Sequence, residues 1–209
     1  MLAKAQEHLA HKDPKLRPLL ANITLESLEP RHSNIYEALL RSITYQQLSG
    51  KAAATIFGRF LALFGENGPE AATLAAMDIE ALRAVGLSKQ KATYLQNVAR
   101  FHLEHNIGEG RDWSGWTDED LTKLLCGIKG VGVWTVQMIL MFQLGRPDVF
   151  PVGDLGIQQG MASLYGIEYA NEKELKSKMT DIAKQWRPYR SIASRYIWRY
   201  KDGDQVFDM

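Results

Sequence analysis

Asp154 is the carboxylate in this chain whose surroundings best suit it to chemistry. It closes the run Phe150-Pro-Val-Gly-Asp, directly before a helical pattern that begins at Leu155. A carboxylate at a helix start has two physical readings. It can accept from the backbone N–H groups of the first turn as an N-cap. It can also use the positive helix end to hold a negative charge beside a reacting centre, where it stabilises developing positive charge or orients a water. About twenty residues earlier lies a hairpin, Leu124–Thr135, with Gly127, Gly130 and Gly132 between two helical patterns. Glycine has no Cβ, so the N–H groups of Gly130 and Gly132 can approach a phosphate closely. Val131 between them reads as an apolar peg joining the two helices. A tight helix connection without a ligand would use the same residue types.

The elements that must position these groups are helical. Apolar residues recur with helical spacing over Leu2–His11, Leu16–Asn22, Asn34–Gln46, Gly50–Phe64, Pro69–Met77, Ile79–Val85 and Lys89–His105. The pattern continues over Asp118–Cys126, Val133–Leu144, Leu155–Leu164, Glu172–Trp186 and Ser191–Tyr200. Ser33 before Asn34, and Thr117 before Asp118-Glu119-Asp120, supply N-caps and first-turn acids. Gly65, Gly86 and Gly145 stand where helices should stop. No segment alternates as a strand would. Leu82–Ala92 is a weak internal echo of the hairpin, a helix, a glycine turn and another helix. Within it Ser88 and Lys89 could touch a phosphate or merely cap a helix.

The 209 residues, 45% hydrophobic and 23% charged, suit a globular protein with one sizeable core or two small lobes. No apolar run approaches the roughly 20 residues needed to span a bilayer. The first residues lack a signal-peptide core, so an intracellular location is expected. Cys126, the one cysteine, excludes an internal disulfide and any all-cysteine metal cluster within the chain. Net charge is only +1. From Leu175 to Lys201, however, eight basic residues face one acid, Asp181, and four arginines interleave with Trp186, Tyr189, Tyr196, Trp198 and Tyr200. Such a segment is either a solvated helix face or a surface for phosphates and bases. His102 and His105 lack a metal-binding spacing and a third ligand, and read as exposed helix residues, as do His8 and His11.

The pattern Leu124-x-x-x-Ile128-x-Gly130-Val-Gly132-x-x-Thr135 resembles the helix-hairpin-helix DNA-binding motif. With the loop carrying Gly145, Pro147, Pro151 and Gly153 and then Asp154, it resembles the helix-hairpin-helix base-excision glycosylase superfamily. Phe150–Gly156, Gln46–Ser49, Trp186–Ser191 and Ile197-Trp198 are similar to its alkylpurine branch, the 3-methyladenine DNA glycosylase II family, in a compact form. The resemblance implies an all-α, two-lobed fold with a cleft between lobes. One lobe would span residues 30–145, and the other 1–29 plus 146–209. It also implies Asp154 as the catalytic residue, with Trp134, Trp198 and the softer Met138 lining a base pocket. DNA contacts are implied at Lys129, Gly130, Gly132 and Thr135, and at Gln46, Gln47, Leu48 and Ser49, a wedge region where Leu48 or a glutamine would fill the hole left by an extruded base. The family's hairpin holds a monovalent cation, Na+ or K+, on main-chain oxygens that map to Cys126, Ile128 and Val131. No other cofactor is required. Bifunctional relatives carry a nucleophilic lysine where this chain has Trp134, which implies a monofunctional enzyme acting as a monomer on damaged double-stranded DNA.

The chemistry is coherent. An N3- or N7-alkylated purine is cationic and leaves readily, so one carboxylate suffices where a poor leaving group needs two. A cationic base stacked on tryptophan gains about 0.5–2 kcal/mol. Two alternatives stay open: a non-catalytic hairpin module that only holds DNA, and a glycosylase for other damaged bases.

Overall fold

In a computed structural model of the chain, residues 1–26 and 34–203 are described. Their regular structure is entirely helical. In chain order the helices are α1 (Leu2–Lys12), α2 (Arg17–Asn22), α3 (Ile35–Tyr45), α4 (Gly50–Ala62), α5 (Ala71–Ala76) and α6 (Ile79–Ala84). There follow α7 (Lys89–His105), α8 (Asp118–Cys126), α9 (Val133–Met138), α10 (Leu155–Tyr165), α11 (Glu172–Ala183) and α12 (Arg190–Asp202). Among the described residues no helix is long and apolar enough to cross a membrane.

The chain forms two compact units. One comprises Met1–Glu29 with Leu140–Met209, the other Pro30–Ile139. The resemblance implied a boundary at Gly145; this division places it between Ile139 and Leu140. The helix expected over Val133–Leu144 is α only to Met138, and Ile139–Gln143 is a π-helical segment. A π segment changes only the hydrogen-bond step, so the apolar period runs through it unmarked.

In the middle unit, α3 buries Ile35, Leu39, Leu40 and Ile43 completely. This stripe at helical spacing is worth about 1.5–3 kcal/mol per side chain. α3 packs on α4 and α7, which bury Phe60 and Leu95, Val98 and Ala99. Asn34 caps α3, its Oδ1 accepting from Glu37 N–H at 3.2 Å. Ser33, expected in that role, lies outside the described residues. Thr117 caps α8, its Oγ1 accepting from Asp120 N–H at 3.1 Å.

The tryptophans and histidines sort between core and surface as follows. Trp113 and Trp186 are buried, but Trp116 is half-exposed, edge-on to Trp113 at 5.6 Å with the Arg111 guanidinium over both rings. His102 is not a free surface residue. It stacks on Tyr36 at 4.4 Å, and burial pushes its pKa down. His8 packs edge-on against Tyr189 at 5.4 Å.

In the other unit, α1, α2, α10, α11 and α12 surround Leu9, Leu16, Met161, Met179, Trp186, Ile192 and Tyr196. Asp13, between α1 and α2, is buried there. Its Oδ2 accepts from Trp186 Nε1–H (2.7 Å), Tyr165 O–H (2.7 Å) and Gln185 Nε2–H (3.0 Å).

Candidate functional site

Asp154 is the N-cap of α10. The loop before it is tightly wound, with Asp154 N–H donating to Pro151 O at 2.9 Å. Its Oδ1 accepts from Ile157 N–H at 2.9 Å, which is the capping bond. The same oxygen accepts from the indole Nε1–H of Trp198 at 2.7 Å, a length expected for a charge-assisted bond. The two readings of Asp154 are therefore not exclusive. It caps a helix, and two N–H donors fix its carboxylate while the residue stays partly exposed. Its neighbour Leu155 is 65% exposed.

Trp198, on α12, reaches Asp154 because α10 presents glycines on the facing side. A Cβ on Gly156 would lie 3.0 Å from Trp198 Cδ1 and 3.1 Å from Asp154 Oδ1. One turn on, a Cβ on Gly160 would lie 2.6 Å from Ile197 Cγ2. Residues four apart share a helix face, so this pair lets the two helices close up until indole meets carboxylate. Trp198 was expected as a stacking surface. Its bond to Asp154 adds a second role that no local motif announces, because the partners are 44 residues apart. Sequence reasoning also missed Phe142 of the π-helical segment, whose ring lies 6.1 Å from that of Trp198, tilted by 31°.

The hairpin joins α8 to α9 in the middle unit. Val131 N–H donates to Ile128 O at 3.0 Å, and both side chains are buried, Val131 as the expected peg. Lys129, Gly132 and Val133 are exposed. The reason for glycine at 130 differs from the expected one. Gly130 has φ +108°, and a Cβ there would meet Tyr94 Cγ at 2.3 Å. Conformation and packing demand that glycine, whereas Gly132 has open space around its missing Cβ. The echo at Leu82–Ala92 repeats this geometry, since Gly86 has φ +107°. There Ser88 caps α7 with its Oγ accepting from Lys91 N–H at 3.2 Å, and Lys89 is exposed.

Trp134 is 39% exposed near the start of α9, and Met138 is buried. Thr135 is buried, 2% exposed. Between α3 and α4, Gln46 is half-buried and donates Nε2–H to Gly130 O at 3.4 Å. Gln47 is left-handed with φ +58°, and Leu48 is 40% exposed beside exposed Ser49. Leu48 is thus not a core residue.

The basic C-terminal segment is less positive than its count suggests. Lys176 and Lys178 pair with Glu172 and Glu174, Lys184 with Asp181, and Lys201 with Asp202. Arg187 and Arg190 both bind Asp148, with Arg190 Nε at 2.7 Å. Most of these acids lie outside the counted stretch, so the count overstated the free positive charge. Among the described residues, no group of three or more His, Cys, Asp or Glu could hold a metal ion. Burial pushes the Cys126 thiol pKa up.

The comparisons with known proteins decide the family. The model of the HhH-GPD superfamily of base excision DNA repair proteins matches residues 40–186. The chain belongs to this superfamily. DNA-3-methyladenine glycosylase 1 of Schizosaccharomyces pombe is 34% identical, over 95% of this chain and 87% of its own length. A relative from Bacillus subtilis is 36% identical over 79% of this chain, which spans only 58% of that protein. The Schizosaccharomyces pombe 3-methyladenine DNA glycosylase solved with abasic DNA superposes with a TM-score of 0.80 at 31% identity, covering 94% of this chain and 95% of that one. A DNA-3-methyladenine glycosidase from Bacillus halodurans gives a TM-score of 0.75 at 34% identity, over 93% and 87% of the two chains. Within the superfamily the chain groups with the 3-methyladenine DNA glycosylases.

Proposed function

We propose that this protein is a monofunctional DNA glycosylase that starts base excision repair by hydrolysing the N-glycosidic bond of alkylated purines of the 3-methyladenine and 7-methylguanine type. Its partner is double-stranded DNA bearing the lesion, met as a monomer and inside the cell. The observation that supports this reading is the carboxylate of Asp154, partly exposed and fixed through Oδ1 by the N–H groups of Ile157 and Trp198. A helix cap alone has no need of the second donor.

In the proposed reaction the bond from C1′ to the purine nitrogen breaks with its electron pair on the base, which leaves neutral. Water adds to C1′ and loses a proton. Asp154 stabilises the positive charge on the sugar and orients that water. Trp134 and Met138 are the proposed base contacts of the middle unit, and Trp198 is that of the other unit, where it also holds Asp154. Position 134 offers no amine to form a covalent sugar adduct, so the strand is left intact. Lys129, Gly130 and Gly132 face the phosphate backbone, with Ser88 and Lys89 as a second contact, and Leu48 is the wedge flanked by Gln46, Gln47 and Ser49. A Na+ or K+ ion suits the carbonyl oxygens of Cys126, Ile128 and Val131: the Ile128 oxygen accepts one N–H bond and keeps a second lone pair.

The test is release of methylated purines from a methylated duplex, read by mass spectrometry. The wild type should release them, and Asp154→Asn should bind an abasic-analogue duplex but release base about 10²–10³-fold more slowly. A wild type that binds duplexes yet releases no base from any would make the protein a holding module. A borohydride-trapped adduct would overturn the monofunctional assignment.

A further inference from the structure

The loop between α3 and α4 is short and awkward. Gln47 takes a left-handed backbone, which costs a non-glycine residue free energy. Ser49, the residue before α4, makes no side-chain capping bond. Leu48 nevertheless stands out from the fold rather than collapsing onto it. Something must hold this conformation, and the structure supplies it from α7. The Lys91 ammonium donates to the carbonyl oxygens of Thr44 at 2.8 Å and Gln46 at 2.6 Å. These oxygens belong to the C-terminal end of α3, where carbonyls lack helical partners and the helix dipole favours a cation. Lys91 is part-buried, and burial lowers its pKa, as expected of an ammonium drawn out of water to serve two carbonyls.

The same face of α7 also supports the hairpin. Tyr94, one turn after Lys91, fills the space that a Cβ on Gly130 would need. Asn97, one turn further, donates Nδ2–H to Lys129 O at 3.3 Å. Gln46 closes the loop onto the hairpin through Gly130 O. Thus one helix face carries both the protruding leucine and the glycine turn.

We infer that Lys91 is a positioning residue: by capping α3 it holds the Gln46–Ser49 loop in fixed register with the Lys129–Gly132 hairpin, so that Leu48 enters the duplex when the hairpin grips the backbone. This rests on the reading of the protein as a base-extruding glycosylase, and the function it adds is not phosphate contact by Lys91 itself. Lys91 makes no DNA contact in this scheme: two of its three N–H donors are taken by the carbonyls of Thr44 and Gln46, and its role is to hold them.

The experiment compares wild type, Lys91→Met, Lys91→Arg, Leu48→Ala and the double variant Lys91→Met/Leu48→Ala. Amide hydrogen exchange on the free proteins reads the loop. A duplex with 2-aminopurine beside an abasic analogue reads base unstacking by fluorescence, and binding to undamaged duplex reads the hairpin alone. We expect Lys91→Met to speed exchange at Gln47 and Leu48 and to weaken the unstacking signal about tenfold, the scale of losing hydrogen bonds from a charged donor. Binding to undamaged duplex should stay within about threefold, because that term comes from phosphate contacts. Lys91→Arg, which keeps a cationic donor, should restore most of the signal. The double variant should be no worse than Leu48→Ala, since both act through one group. Unchanged loop exchange and unstacking in Lys91→Met, or fully additive defects in the double variant, would overturn the inference. If wild type itself gives no unstacking signal, the glycosylase reading fails, and the exchange arm still decides whether Lys91 orders the loop.

Discussion

One unit of this molecule contains the same pairing twice. Asp13 accepts the indole N–H of Trp186, and Asp154 accepts the indole N–H of Trp198, each at 2.7 Å. What surrounds the pairs differs. Asp13 is 2% exposed, and one of its oxygens also takes a tyrosine hydroxyl and a glutamine amide. Tyr165 is held strongly protonated there, its pKa pushed above the ordinary range by burial and then by the Asp13 bond and charge. Asp154 is partly exposed, with an exposed leucine next to it and glycines beneath its indole partner. A carboxylate locked by donors inside a core joins the end of α1 to α10 and to the turn after α11, and has no access to a substrate. A carboxylate fixed in direction but still in reach of solvent can act on one. The pairing does not itself mark function; access to it does.

Replacing each carboxylate should separate the two. Asp154→Asn should lower single-turnover base release about 10²–10³-fold, the usual loss when one electrostatic group is removed. Asparagine caps helices as well as aspartate does, so the melting temperature should hardly move. Asp13→Ala should do the reverse. It strands the buried Trp186 N–H and the Tyr165 hydroxyl, at about 1–3 kcal/mol for each unpaired group. Allowing for their coupling, a loss near 3 kcal/mol and a fall of about 6–12 °C in melting temperature are expected, read by calorimetry. Base release well below that temperature should persist. An Asp13 variant that melts normally but is inactive would erase the distinction.

The difference between the two pairs was only partly legible in the sequence. Lys89–His105 and Asp118–Cys126 were bounded correctly because Ser88 and Thr117 cap their starts and acids follow Thr117. Asp154 stood out by its place after Pro-Val-Gly at a helix start. Asp13 did not, because Asp-Pro before a helix is an ordinary beginning and its three side-chain partners lie more than 150 residues away. The Trp198–Asp154 bond was hidden for the same reason: it depends on how closely α10 and α12 approach, which Gly156 and Gly160 set without any local signature. Lys91 was hidden because lysine on a helix reads as solvent-facing until the carbonyls it caps are located. The π segment left no mark in composition at all.

The indole partners offer a finer comparison. Phenylalanine keeps an aromatic ring but loses the indole N–H and its second ring. Trp198→Phe should cost about tenfold in the turnover rate, since a hydrogen bond to a charged group is worth about 1.5–3 kcal/mol and part of that orients the carboxylate. KM should change little, because binding of the duplex does not pass through that bond. Trp186→Phe should lower the melting temperature by several degrees, about 2–3 kcal/mol for the lost hydrogen bond and the space left in the core, and leave kcat intact. Steady-state kinetics and thermal melts on the two variants check the contrast; equal effects on turnover would mean that access does not divide the pairs.

The smallest expected effect is also the most direct probe of how Asp154 is held. Gly156→Ala adds one methyl group on the face of α10 that Trp198 covers. Alanine favours a helical backbone over glycine by up to about 0.5–1 kcal/mol, less in the first turn where Gly156 lies, which offsets part of the strain from a Cβ placed 3.0 Å from Trp198 Cδ1 and 3.1 Å from Asp154 Oδ1. Stability should therefore stay near that of wild type. The indole must still move by a few tenths of an ångström, away from the oxygen it contacts at 2.7 Å. A hydrogen bond weakens with such a displacement but does not vanish, so base release should fall only about three- to tenfold, less than in Trp198→Phe. Combining the two changes should add little, since the second acts on a bond the first has already removed. If Gly156→Ala instead costs as much as Asp154→Asn, the methyl group is blocking the substrate, and the glycine serves access to the carboxylate more than its orientation.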